Sequence, residues 1–247
     1  MELSRKSIVV TGANRGIGLE IVKTFASNGY DVWACMRNHN EDSEKIMEEY
    51  SQKYSVEIKP VYFDMSSEEK INSGIKSIIA EKKNIDVLVN NAGIAHGGLM
   101  TMTPISKIRE VYDVNVFAQI QVTQLIARKM MKQKSGCIIN MCSAGGIETS
   151  PGYIAYGSSK AAMIWITKSL AKELAGYNIR VNGIAPGLID TDMGKYKSNE
   201  EIQKVFERMS IKRMGKSEEI AKAALYIASD DAAYMTGQIM VLDGGRT

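Results

Sequence analysis

The chain has 247 residues, of which 45% are hydrophobic and 24% charged, with a formal charge of +3. That length can bury a sizeable core in one α/β unit. The small charge argues against nucleic acid or an anionic membrane as partner. No apolar run reaches bilayer length, and Met1–Lys6 lacks a signal-peptide apolar stretch, so the expected location is the cytoplasm.

Ser7–Thr11 is a short apolar run that ends in glycine and reads as a buried strand. Ile17–Asn28 has helical spacing and stops at Gly29. Asp31–Met36 reads as a strand, Glu41–Tyr54 as a charged helix, Glu57–Phe63 as a strand and Glu68–Lys82 as a helix. Ile85–Val89 is a fourth strand. Pro104 then opens a long helix to about Gln133, a position that tolerates proline. Cys137–Cys142 is a strand, Tyr153–Ala175 a long helix and Ile179–Ile184 a strand. Glu200–Met209 and Ser217–Ser229 read as helices, and Gln238–Leu242 as the last strand.

Repeated strand–helix units with short turns predict an α/β fold. The form expected is a Rossmann-type doubly wound parallel sheet of about seven strands with helices on both faces. No linker or repeat interrupts residues 1–247, so one domain is expected. The weakly patterned stretch 188–210 is a candidate lid over a substrate. Cys35, Cys137 and Cys142 each fall in a predicted strand, form no CxxC pair, and are read as small core residues rather than metal ligands.

The first strand runs into Thr11-Gly12-Ala13-Asn14-Arg15-Gly16-Ile17-Gly18, and a helix follows. Glycines there permit a tight turn and close approach of backbone N–H groups to a pyrophosphate. The spacing is GxxxGxG rather than GxGxxG, but its place between strand and helix is that of a dinucleotide site. Binding is assigned to Gly12, Asn14, Arg15, Gly16, Ile17 and Gly18. The second strand ends without the acid that commonly holds the adenosine ribose of NAD. Arg37 stands there instead, and with Arg15 it predicts a clamp for the 2′-phosphate of NADP(H).

Tyr156 and Lys160 are four residues apart in a predicted helix, which brings them to one face. A phenol beside an ammonium is suited to proton transfer near neutral pH. Ser143 ends the fifth strand, on the ligand side of a parallel sheet, where its hydroxyl can donate to a carbonyl oxygen. His96, Glu148, Tyr153 and Leu188 are the candidates for the substrate pocket. Met100–Met102 and Met193 are candidates for an acyl groove.

Together these residues resemble the short-chain dehydrogenase/reductase family over nearly the whole chain. Thr11–Gly18 is similar to its cofactor loop, and Asn90-Asn91-Ala92-Gly93 to its NNAG motif. The resemblance implies that Asp64 contacts the adenine ring and that Asn91, Ala92 and Gly93 border the cofactor. It implies that Pro186, Gly187 and Thr191 hold the carboxamide. It also implies a catalytic set of Asn115, Ser143, Tyr156 and Lys160, in which Asn115 holds a water that links Lys160 to solvent, and Lys160 bonds the ribose.

Within the family the chain is most similar to the 3-oxoacyl-acyl-carrier-protein reductases, through Ile189–Met193 and Ala233–Gln238. That likeness implies an acyl carrier protein docked at the cavity entrance by Arg128 and Lys172, and a homotetramer or homodimer. The reaction implied is hydride delivery to a carbonyl carbon and proton delivery to its oxygen. A keto-sugar, a polyketide or another small ketone stays open as substrate, as does a nucleotide-binding scaffold without catalysis.

Overall fold

A computed structural model describes residues 5–81, 83–192 and 199–247, the side chains of residues 199 and 201 excepted. Seven strands form one parallel sheet: β1 Ser7–Thr11, β2 Asp31–Met36, β3 Ile58–Tyr62, β4 Val87–Asn90, β5 Gly136–Met141, β6 Ile179–Pro186 and β7 Ile239–Leu242. Their order is β3-β2-β1-β4-β5-β6-β7. The pairing Thr11↔Cys35 on one side of β1 and Ile8↔Val87 on the other sets the register at the centre.

Helices return the chain across the faces: α1 Gly16–Ser27, α2 Glu41–Tyr54, α3 Glu68–Ala80, α4 Ile105–Tyr112, α5 Ala118–Gln133, α6 Ile154–Leu174, α7 Asn199–Glu207 and α8 Ser217–Ala228. The strand period of two sends Ile8 and Val10 to one layer and Val9 to the other. Phe25 and Ile21 of α1 and Ile220 and Ile227 of α8 fill the first layer. Ile71 and Ile75 of α3 and Val122 and Ile126 of α5 fill the second. β1 is buried throughout, as a strand covered on both faces must be.

The predicted helix from Pro104 to Gln133 is three segments. Between α4 and α5, Asp113–Phe117 makes a π turn with Asn115 inside it. One extra residue per turn shifts the backbone carbonyls there out of the α-helical pattern, and such turns collect at functional sites. The side-chain periodicity continues across the insertion, so nothing in the residue types announces it. The three cysteines are buried and free. Among the described residues, no helix is long and apolar enough to cross a membrane.

Candidate active site

Strand order reverses between β1 and β4, and a parallel sheet opens a crevice outside the strand ends at such a point. A cavity of about 680 Å³ lies there. Its floor is built first by a latch. The Thr11 hydroxyl at the end of β1 accepts from Asn91 N and Ala92 N, each at 3.0 Å. Asn91 Nδ2 donates back to the carbonyls of Thr11 and Gly12. The two strand ends are thereby fixed side by side.

The glycine loop forms a cradle that a side chain would fill. Gly12 has φ +67°, and a Cβ there would lie 2.8 Å from Ala92 Cα. A Cβ on Gly18 would lie 2.0 Å from the Gly12 carbonyl oxygen, backbone that cannot move aside. α1 begins behind this loop with no side-chain cap and no acidic residue in its first turn. By contrast, α2 is capped by Asn40 and carries Glu41, Asp42 and Glu44 in its first turn. An open, uncapped helix start above a bare backbone turn suits a phosphate. Gly18→Ala is expected to weaken dinucleotide binding by roughly 10-fold or more in titration calorimetry, because the loop must open to admit the methyl.

At the far end of β2, Arg37 pairs with Asp64 at 2.9 Å. Two Ser66 hydrogen bonds, and then the guanidinium, hold the Asp64 carboxyl below its usual range against the opposing effect of burial. Arg15 pairs with Asp192 at 2.9 Å. Both arginines line the cavity with exposed side chains.

Ser143, Tyr156 and Lys160 meet across the β5 and β6 ends. Ser143 Oγ accepts from Gly145 N at 3.1 Å and directs its own proton at the Tyr156 oxygen, which lowers the phenol's pKa. Tyr153 stands edge-on to Tyr156, ring centroids 6.4 Å apart. Lys160 is buried and donates to the Met141 carbonyl at 2.8 Å. Burial holds its pKa down at about 8.

Two sequence expectations change here. The sequence sets the phenol beside an ammonium for proton transfer near neutral pH. Among the protein's own groups, burial raises the phenol's pKa, and the Ser143 bond is what pulls it down. The ammonium sits 5.9 Å from the ring centroid and is directed at a backbone carbonyl. Asn115 is buried and does not line the cavity. Its amide donates to Ile94 O at 2.9 Å and Ser159 Oγ at 3.0 Å, and its oxygen accepts from Ile94 N at 2.8 Å. The side chain therefore clamps the loop after β4. A Cβ on Gly93 would lie 3.2 Å from Asn115 Oδ1 and 3.5 Å from Lys160 Nζ, so both groups crowd that glycine.

All the predicted cofactor residues line the cavity: Gly12, Asn14, Arg15, Gly16, Ile17, Gly18, Arg37, Asp64, Asn91, Ala92, Gly93, Tyr156, Lys160, Pro186, Gly187 and Thr191. Of the substrate candidates, Tyr153 and Leu188 line it, whereas His96 and Glu148 do not. His96 lies on the loop past Ile94, and Glu148 is engaged by Arg208 and Arg246. Met193 lies outside the described residues, as do 194–198 of the expected lid. Val205 of α7 borders the cavity.

Arg128 and Lys172 are exposed but misplaced for an entrance. Each sits late on a helix that runs back towards the strand starts. Near the end of α5, Gln133 already bonds Ile85, ahead of β4. Thr11, Ile94, Cys142 and Arg246 line the cavity and were not assigned from sequence. Thr11 stands inside the quoted loop motif, but Arg246 follows a Gly-Gly turn with no pattern to mark it.

This fold and cavity define a class, the oxidoreductases that work on carbonyl and alcohol groups with a nicotinamide cofactor. A family model described as enoyl-(acyl carrier protein) reductase matches residues 12–247, and the chain belongs to the short-chain dehydrogenase/reductase family. It is 37% identical over 245 residues to 3-oxoacyl-[acyl-carrier-protein] reductase FabG of Chlamydia trachomatis, covering 98% of each chain. To the protein of the same description from Aquifex aeolicus it is 39% identical, covering 99% of this chain and 98% of the other. Among solved structures it resembles a 7α-hydroxysteroid dehydrogenase complexed with NADH and 7-oxo glycochenodeoxycholic acid. The identity is 34% and the TM-score 0.90, over 97% of this chain and 93% of that one. A short-chain type dehydrogenase/reductase from Mycobacterium marinum is 30% identical with TM-score 0.90, over 98% and 95%.

Proposed function

We propose that the protein is an NADPH-dependent reductase of 3-oxoacyl thioesters, forming the 3-hydroxyacyl product in fatty-acid synthesis. The observation that carries the reaction type is the convergence of Ser143, Tyr156 and Lys160 on a cavity that begins at the glycine cradle. The substrate class rests on end-to-end similarity to 3-oxoacyl-[acyl-carrier-protein] reductases.

When bound, the nicotinamide cofactor supplies the hydride. Gly12, Gly16 and Gly18 would hold its pyrophosphate at the start of α1, and Pro186, Gly187 and Thr191 its carboxamide end. The Ser143 hydroxyl orients the carbonyl oxygen and stabilises the charge that grows on it. Tyr156 gives its proton to that oxygen. The Lys160 ammonium, next to Gly93, would bond the cofactor ribose, and the Ser143 hydroxyl steadies the phenolate left behind. The Asn115 side chain positions the loop around Lys160, and its place in the π turn frees backbone polar groups to anchor a proton-carrying water.

We assign NADP(H) on Arg37 and Arg15, whose ion-pair partners among the described residues are the carboxylates Asp64 and Asp192. Exposed pairs of this kind are weak and yield readily to a phosphate. Arg37→Asp is expected to shift the NADPH-over-NADH ratio of kcat/KM by about 10- to 100-fold towards NADH. Equal use of the two cofactors by the unaltered enzyme would remove the assignment.

Exposed Phe117 and Trp165, on the faces of the π turn and α6, support a homodimer or homotetramer. We place the protein in the cytoplasm. A reductase of another ketone, a keto-sugar or a polyketide is the second reading, favoured by the likeness to a hydroxysteroid dehydrogenase. Oxidation of NADPH is followed with a 3-oxoacyl thioester, a keto-sugar nucleotide and a cyclic ketone. The proposal requires the thioester to be reduced with the highest kcat/KM. Tight NADPH binding with no carbonyl reduced would indicate a scaffold.

A further inference from the structure

Beyond β7 the chain folds back onto the cavity. The Asp243 carboxylate accepts from Gly245 N at 2.9 Å, Arg246 N at 3.2 Å and Thr247 N at 2.8 Å, which pins the backbone of Arg246. The Arg246 side chain is only 9% exposed and lines the cavity, as do Leu188 and Val205. In sheet order this is the end opposite Arg37 and Asp64, where the adenosine is placed. It is therefore the end left for the substrate.

A guanidinium carries five donors in a planar fork. Among the described residues, the only acidic partner of Arg246 is Glu148, with Nε 3.5 Å from Oε2. Neither atom makes a hydrogen bond, and both are buried. Glu148 is shared with Arg208. Two guanidinium groups thus share the one carboxylate of Glu148, while the Asp243 carboxylate is taken up by backbone N–H groups. A buried guanidinium nitrogen left without a hydrogen bond is costly unless something else completes it. A planar oxyanion fits the fork in a bidentate manner.

We propose that Arg246 is a specificity-determining residue that receives a carboxylate of the substrate, distal to the carbonyl being reduced. The favoured substrates are then 3-oxoacyl or keto compounds that carry a free acid. This rests on the reading of the cavity as a carbonyl reductase site.

The test uses the full chain with NADPH and two esters, ethyl 3-oxobutanoate and monoethyl 3-oxopentanedioate, which differ by one carboxylate. The acid is expected to be preferred about 10- to 100-fold in kcat/KM. Arg246→Met should erase that preference while the neutral ester stays within about twofold, and Arg246→Lys should restore part of it. Glu148→Gln, which removes the competing carboxylate, should increase the preference. No preference in the unaltered enzyme, or an equal loss for both esters in Arg246→Met, overturns the proposal.

Binding is read separately by titration calorimetry with the unreactive pair monoethyl and diethyl pentanedioate. If monoethyl pentanedioate binds more tightly only when Arg246 is present, and no ester is reduced, the anion site stands and the reductase reading fails. If both pentanedioates bind alike and ethyl 3-oxobutanoate is reduced, the reductase reading stands and the anion site fails. Should Arg246→Met not fold, Glu148→Gln decides: an unchanged or smaller preference for the acid counts against the site.

Discussion

Tyr156→Phe is expected to lower turnover by about 100- to 10,000-fold, the range in which a positioned general acid contributes. NADPH affinity should stay within about twofold, because the ring remains and only the hydroxyl is lost. The reason is local. The phenol is bonded to Ser143, whose own oxygen is held by Gly145 N, so a carbonyl oxygen admitted there meets two hydroxyls at once. Phenylalanine keeps the edge-on contact with Tyr153 and the packing of α6. Stopped-flow reduction and equilibrium cofactor binding, measured on the same preparation, separate the two effects. Substantial turnover by the phenylalanine variant would remove Tyr156 from the chemistry.

Lys160→Met is expected to stabilise the cofactor-free protein while abolishing most of its activity. Burial depresses the lysine pKa from 10.5 to about 8, so the folded state resists the charge that the unfolded chain accepts freely. The gap corresponds to roughly 3 kcal/mol. The unfolded chain binds more protons between those two values. Stability from this group therefore rises with pH from about 8 to about 10.5, and the full penalty is present below pH 8. Methionine removes the penalty but leaves the Met141 carbonyl without its donor, which costs about 1–2 kcal/mol. The net gain is about 1–2 kcal/mol, or roughly 2–8 °C in Tm at pH 7 for a chain of this size. Calorimetry at pH 7 and pH 10 checks the sign, since the advantage should shrink at the higher pH. A lower Tm for the variant at pH 7 would contradict the account. The same pKa predicts that kcat/KM for reduction falls above about pH 8, as the ammonium that bonds the cofactor ribose is lost.

Much of this site could be read from residue order because its parts are local. The glycine loop works through three glycines within seven residues, and Tyr156 and Lys160 meet because a helix turns every 3.6 residues. Strand ends were equally legible: Asp31–Met36 and Ser7–Thr11 have the predicted bounds, since apolar runs closed by turn residues leave little choice. The π turn was not legible. Asp113–Phe117 has helix-compatible side chains, and the extra residue is chosen by what Asn115 must reach, the backbone of Ile94 from another segment. The phenol's pKa was not legible either. Spacing shows that Lys160 is near Tyr156, but only packing shows that both are desolvated and that the ammonium is directed at Met141 O. Arg128 and Lys172 were misplaced for a related reason: a charge on a helix has no end of the sheet until the strand direction is known.

The amino-acid sequence by itself determined the layered α/β architecture, the dinucleotide loop and the group of side chains available for proton transfer. Each of these depends on short-range periodicity or on residues close together in the chain. Only the tertiary structure decided which groups are buried, which ion pairs are completed, and that Arg246 lines the cavity. Burial and pairing depend on segments far apart in sequence, such as Glu148 with Arg246 or Thr11 with Asn91. Their contact distances arise only when the strand order brings those segments together.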